Sequence, residues 1–142
     1  MPAGIPTPSV IPYLLYEDPV RIRDFLTEAL GFTEVATHRS PEGEVGNIQL
    51  RMADKFVMLS CAQPAMGMAA PGGLPAVHAG VMVYVDDVDA HFEQARSAGA
   101  TIWYEPQDMP YGQREYGVRD PENGFWCFGT LLQQAHDPAP DE

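Results

Sequence analysis

Residues 16–32, YEDPVRIRDFLTEALGF, and residues 84–100, YVDDVDAHFEQARSAGA, carry one plan in two places. Each leaves a short apolar run, sets an acid before a helix-like stretch, and stops at glycine. In the first copy Asp18 suits the N-cap and Pro19 the first helical position. A cap carboxylate accepts an orphan N–H there, and the donor that proline lacks has no intrahelical partner to lose. Ile22, Phe25, Leu26, Ala29 and Leu30 fall on one stripe, so the helix is expected to run to about Leu30 with Gly31 as its C-cap. In the second copy Asp86 and Asp87 precede the helix, Val88, Phe92 and Ala95 share a face, and Gly99 is the stop.

The match extends outward. SVIPYLLYED (9–18) precedes the first helix as a short apolar strand, with Pro12 restricting it to an edge or an irregular place. HAGVMVYV (78–85) precedes the second. After the first helix come FTEVATHR (32–39), a turn at SPEG, and EVGNIQLRM (44–52), where Ile48 and Leu50 alternate with Gln49 and Arg51. A tight turn at Ala53-Asp54 leads to KFVMLSC (55–61). After the second come TIWYEP, the turn-rich QDMPYG, QREYGVRD, a turn at PENG, and FWCFGTLL (125–132).

The intervening AQPAMGMAAPGGLPAV (62–77) has no charge and is broken by proline and glycine. A plain connection is the preferred reading, with a lid bearing Met66 and Met68 as the alternative.

The order strand-helix-strand-strand-strand thus occurs twice, which makes an α+β protein. Two half-open sheets, neither able to cover its own concave face, are expected to pair. The product is a curved eight-stranded mixed sheet around a central cavity, with the helices outside. The expected organisation is a single domain over residues 1–142. It comprises module 1 at about 8–62, a linker at 63–77, module 2 at about 78–131 and an acidic tail at 132–142. Residues 1–8 are expected to be extended and the tail to fray.

Composition narrows the partners. Twenty acids oppose eight bases, a formal charge of −12. Nucleic acid and anionic membrane surfaces both need clustered Lys and Arg, so neither is expected. A neutral or cationic small molecule is compatible, though solubility alone explains the charge. No apolar run approaches the ~18 residues of a membrane span, and no signal-peptide pattern opens the chain. Cys61 and Cys127 lack a metal-type spacing. The expectation is a cytoplasmic protein with reduced thiols.

VYVDDVDAHFEQARSAGATI and, more specifically, MPYGQREYGVRDPENGFWCFG resemble the vicinal oxygen chelate superfamily, which includes glyoxalase I, bleomycin-resistance proteins and extradiol dioxygenases. The resemblance spans about residues 8–131. It implies paired βαβββ modules, a pocket on the concave sheet, and frequent dimerisation; a homodimer is expected here. It does not by itself imply a reaction. The superfamily's enzymes hold a divalent metal through the first and last strand of each module. The matching positions are Ile11, Met58, Gly80 and Cys127. Isoleucine and glycine offer no ligating side chain, and a thioether is too soft for Mn, Fe, Ni or Zn. The expectation is therefore no metal and no cofactor.

The pocket lining expected from strand alternation and the module match includes Tyr13, Leu15, Met58, His78, Met82, Tyr84, Phe125 and Cys127. Ile11, Ser60 and Gly80 share that side, and Gly80 is expected to leave space. Trp103 and Tyr111 are placed at the pocket edge. Trp103 and Tyr104 are neighbours on a strand, so one of them is expected to face away. His78 reads first as a polar strand-end residue, then as a pocket hydrogen-bonding group, and last as a metal ligand. His38 and His91 read as solvated, and His136 lies in the tail. Arg114, Glu115 and Arg119 read as a solvated strand face or dimer rim, and Arg51 as the one candidate for a buried cation. No nucleophile elbow or phosphate-cradling loop is present.

Two functions follow. The first is a metal-free protein of the bleomycin-resistance type that binds, and by sequestration neutralises, an aromatic or cationic drug-like molecule. The second is a metal-dependent lyase, epimerase or dioxygenase with a displaced metal site.

Overall fold

The computed structural model describes residues 9–132. The expectations for the first eight residues, His136 and most of the acidic tail lie outside them. The order is β1 (Tyr13–Tyr16), α1 (Pro19–Glu28), β2 (Thr33–Arg39), β3 (Val45–Met52), β4 (Lys55–Cys61), then β5 (Gly80–Tyr84), α2 (Val88–Ser97), β6 (Thr101–Asp108), β7 (Gln113–Arg119) and β8 (Phe125–Leu131). The expected eight strands form two four-stranded mixed sheets, β1-β4-β3-β2 and β5-β8-β7-β6. In each, the first strand pairs in parallel with the last, and the other pairings are antiparallel.

The caps form as the residue types dictate. Asp18 accepts the N–H of Arg21 and Asp87 that of Ala90. Helix α1 ends at Glu28, two residues short of the expected end. Gly31, with φ +83°, then lets the N–H of Phe32 reach the carbonyl of Leu26 at 3.0 Å. Strand β5 begins at Gly80 rather than His78, because its ladder with β8 begins at the Gly80–Phe125 pair.

Each helix covers the convex side of its own sheet. Ile22, Leu26 and Leu30 pack with Ile48, Leu50 and Leu59, and Val88, Phe92 and Ala95 with Tyr116, Val118, Trp126 and Phe128. The two halves share this core through Phe32, which meets Trp126 edge-on at 5.9 Å between ring centres.

Polar groups tie the modules together. Buried Asp120 accepts from Tyr16 Oη at 2.6 Å, Trp126 Nε1 at 2.9 Å and the N–H groups of Glu122 and Gly124. The Glu122 carboxylate accepts the backbone N–H groups of Glu17 and Asp18 from the other module. His91, expected to be solvated, is instead half-buried. It stacks on Phe128 and bonds Leu30 O at 2.8 Å and Tyr116 Oη at 2.6 Å. Burial lowers its pKa, against the opposing effect of the Leu30 carbonyl. Among the described residues no helix is long and apolar enough to cross a membrane.

Candidate functional site on the concave faces

The strand registers place equivalent residues at equivalent stations in the two modules. Arg51 faces Phe56 across β3 and β4, and Arg119 faces Phe125 across β7 and β8. Gln49 faces Met58 where Gly117 faces Cys127, and Asn47 faces Ser60 where Glu115 faces Gly129. Since Ile48, Leu50, Val118, Trp126 and Phe128 fill the helix side, these partners line the concave sides.

A register shift interrupts the first antiparallel pair of both modules, between Glu34 and Ala36 and between Ile102 and Tyr104. The second shift corrects an expectation. Trp103 and Tyr104 do not face opposite ways: Trp103 meets Phe125 at 4.7 Å between ring centres, and Tyr104 reaches Glu115 and Cys127. The extra residue of a bulge breaks the alternation that would have turned one of them outward.

Glycine makes this face flat. A Cβ on Gly80 would meet the Phe125 ring at 2.4 Å, one on Gly117 the Tyr104 ring at 2.5 Å, and one on Gly129 the Met82 methyl at 2.7 Å. The space expected at Gly80 is therefore filled by Phe125. Large side chains lie across glycines of neighbouring strands and form a floor. Met82, Tyr84, Trp103 and Tyr111 of this module remain exposed, as does Tyr13 on β1 of module 1, which shares a cavity with Phe125.

Glu115 organises the floor. The charge alternation of 114–119 predicted a solvated face, yet Glu115 is only 4% exposed. Its Oε1 accepts from Tyr111 Oη at 2.8 Å and Gln113 Nε2 at 2.6 Å. Its Oε2 accepts from Tyr104 Oη at 2.5 Å and Cys127 Sγ at 3.2 Å. Tyr84 Oη extends the network to Gln113 Oε1 at 2.9 Å. Burial alone would raise the Glu115 carboxyl, but these donors outweigh it and hold it below its usual range. Burial pushes the Cys127 thiol up to about 11, which keeps it a protonated donor. The bond to Glu115, ahead of burial, pushes Tyr111 up to about 12.

Sequence reading missed Glu115 and Gln113 as site residues and left open which of Trp103 and Tyr104 faces the pocket. The available signal was their period-two spacing with Cys127 and Gly117 along facing strands. Arg114, on the opposite side of β7, pairs instead with Asp89 at 3.1 Å and Asp108 at 3.0 Å. Arg119 lies over the Trp103 ring at 4.1 Å.

The concave face of module 1 is built differently. Asn47 Nδ2 donates to Ser60 Oγ at 3.2 Å. Gln49 is 7% exposed, and its buried Oε1 has no partner among the described residues. Arg51, the one candidate for a buried cation, is exposed. Met58 is half-buried, and Leu15 stands opposite Ser60.

Strand β5 borders two cavities, which it shares with β1 in one case and with residues 9–12 ahead of β1 in the other. One, of about 260 Å³, is lined by Tyr13, Leu15, His78, Gly80, Phe125 and residues of the 62–77 segment. The other, of about 360 Å³, is lined by Ile11, Phe56, Met82 and Tyr84 among others. Exposed His78 thus lies at a cavity rim. The 62–77 segment contributes Ala69, Pro71, Leu74 and Val77 to the first cavity, more than a plain connection would.

The residues at the superfamily's metal positions do not fit a metal. Gly80 lies under a phenyl ring, and the protonated Cys127 thiol donates a hydrogen bond to Glu115. Among the described residues no three His, Cys, Asp or Glu side chains converge.

Comparison with known proteins agrees with this architecture. The model of the Glyoxalase/Bleomycin resistance protein/Dioxygenase superfamily matches residues 11–128. TioX from Micromonospora sp. ML1 is 32% identical, with 87% of this chain and 98% of that chain covered and a TM-score of 0.69. TnmS3 from Streptomyces sp. CB03234, an antibiotic binding protein, is 24% identical, with 89% and 98% covered and a TM-score of 0.65; it shows the fold alone. The uncharacterized protein Rv0887c of Mycobacterium tuberculosis is 29% identical over 135 residues, 91% of this chain and 78% of its own length. Paired βαβββ modules, the family match over most of the chain and the likeness to TioX lead to one conclusion: the chain belongs to the glyoxalase/bleomycin resistance protein/dioxygenase superfamily.

Proposed function

We propose that this protein binds a planar, aromatic small molecule without a metal, against the concave face of module 2. The observation that supports this reading is the exposed aromatic floor braced by Glu115. Phe125 and Tyr104 are immobilised across glycines, and three of the floor's polar side chains end on one buried carboxylate. Aromatic surface held rigid in the unbound state loses little conformational freedom when a flat ligand stacks on it. Tyr13, Leu15, Met82, Tyr84, Trp103, Tyr111 and Phe125 supply contact area in this reading and His78 borders it, while Met58, on β4 of module 1, lines neither of the two cavities. Cys127 and Glu115 serve as the scaffold beneath. The antibiotic binding of TnmS3, a protein of the same fold, is consistent with this ligand class. The metal-dependent alternative lacks a donor set among the described residues.

The test is a thermal-shift and tryptophan-fluorescence screen with planar aromatic natural products, run before and after EDTA. Binders should quench Trp103 and raise the midpoint equally in both conditions. At a hundredfold excess over Kd the stabilisation should approach about 2.7 kcal/mol. Stabilisation that appears only with stoichiometric Mn, Fe, Ni or Zn would overturn the proposal, as would a panel without binders.

A further inference from the structure

We infer that Arg119 reads an anion, so that the aromatic ligand carries an acidic group, such as a carboxylate, on its edge. This rests on the binding reading above and names the ligand's charge. Four of the chain's eight bases, Arg23, Lys55, Arg96 and Arg114, have a carboxylate partner among the described residues. Of the other four, Arg21, Arg39 and Arg51 are exposed, whereas Arg119 is half-buried over aromatic rings. Its guanidinium lies 4.1 Å from the Trp103 ring centre and 5.4 Å from that of Phe125, and it makes a single hydrogen bond, from Nη1 to the carbonyl of Asn123 at 3.2 Å.

Stacking fixes the guanidinium plane but uses none of its N–H donors. The remaining donors form a planar fork that matches a carboxylate. Phe125 connects this fork to the smaller cavity, whose wall it forms with Gly80 and His78. A ring lodged against Phe125 can place its acidic edge at Arg119.

The alternative charge is poorly served. Glu115 is a buried carboxylate of the module 2 floor, and protein donors fill both of its oxygens. A ligand cation would have to displace Tyr111 or Tyr104 to reach it. The net charge of −12 acts at long range and is screened within about 8 Å at physiological salt, whereas Arg119 acts at contact. Module 1 offers no equal site. Arg51 occupies the matching station, but Val35 stands where module 2 has Trp103, so no indole fixes its plane.

Isothermal titration with 2-naphthoate, neutral 2-naphthamide and cationic 2-naphthylmethylammonium tests the inference on the full chain. The carboxylate should bind about tenfold tighter than the amide, and the ammonium weakest. Arg119→Gln should erase the preference while keeping amide affinity within about twofold, which also shows that the variant is folded. Arg119→Lys should retain only part of it, since an ammonium cannot present the fork. Equal binding of all three probes, preference for the ammonium, or a carboxylate preference surviving in Arg119→Gln would overturn the inference while leaving the aromatic-binding reading intact. Binding of none would overturn both.

Discussion

The two concave faces share a skeleton and differ in what they lay on it. Registers, parallel edge pairs and the first register shift recur in both modules. In module 2 the stations hold glycines roofed by rings and a carboxylate with four donors. In module 1 they hold Gln49, with a buried oxygen lacking a partner among the described residues, and Asn47, with a side-chain bond to Ser60. The same fold can therefore carry one self-satisfied, rigid floor and one polar face with capacity left over. Buried polar groups specify a structure when all are paired and weaken it when some are not.

Five substitutions at four positions probe this contrast, in falling order of effect. Glu115→Ala strands four donors and should cost about 3 kcal/mol in urea unfolding, whereas Asn47→Ala at the matching station should cost about 1 kcal/mol. Equal costs would remove the distinction between the faces. The pH dependence has a defined sign. Because the folded Glu115 carboxyl lies below its ordinary value of 4.5, its contribution is full above that value. The stability gap between wild type and Glu115→Gln should therefore shrink as pH falls below about 4.5. A gap constant from pH 7 to pH 3 would argue against an ionised hub.

Gly117→Ala drives a methyl into the Tyr104 ring and should cost about 2 kcal/mol by the same measurement. It should also loosen the bond from Tyr104 to Glu115, visible as a changed near-ultraviolet circular dichroism spectrum. An unchanged spectrum and midpoint would show that the ring has room to move. The smallest effect is expected at Gln49→Leu. Removing an unpaired buried amide should leave stability within about 1 kcal/mol of wild type or raise it. A larger loss would reveal a partner for that oxygen.

Much of the fold was legible in local chemistry. Asp18-Pro19, Asp87, Gly31 and Gly99 mark the helix ends because caps and left-handed stops depend on neighbouring residues alone. The pattern of strands around each helix followed from alternation. The site was less legible. Glu115 looked solvated because a charge in a strand usually is, and three of its four donors come from β6, β8 and the β6–β7 turn. Gly80 looked like a vacancy because Phe125, the ring that fills it, is contributed by another strand. Trp103 and Tyr104 were set on opposite faces because a bulge is a property of a pair of strands rather than of one.

The sequence by itself determined the repeated unit, its helix ends, the α+β class and the absence of a ligating side chain at Ile11 and Gly80. These depend on residue type and on spacing within a few positions. Only the tertiary structure decided that Glu115 is buried and saturated and that, among the described residues, Gln49 keeps an unpartnered oxygen and Arg119 lies stacked on Trp103 without a carboxylate. Such facts turn on which side chains from distant strands meet, and pairing register and bulges set that in three dimensions.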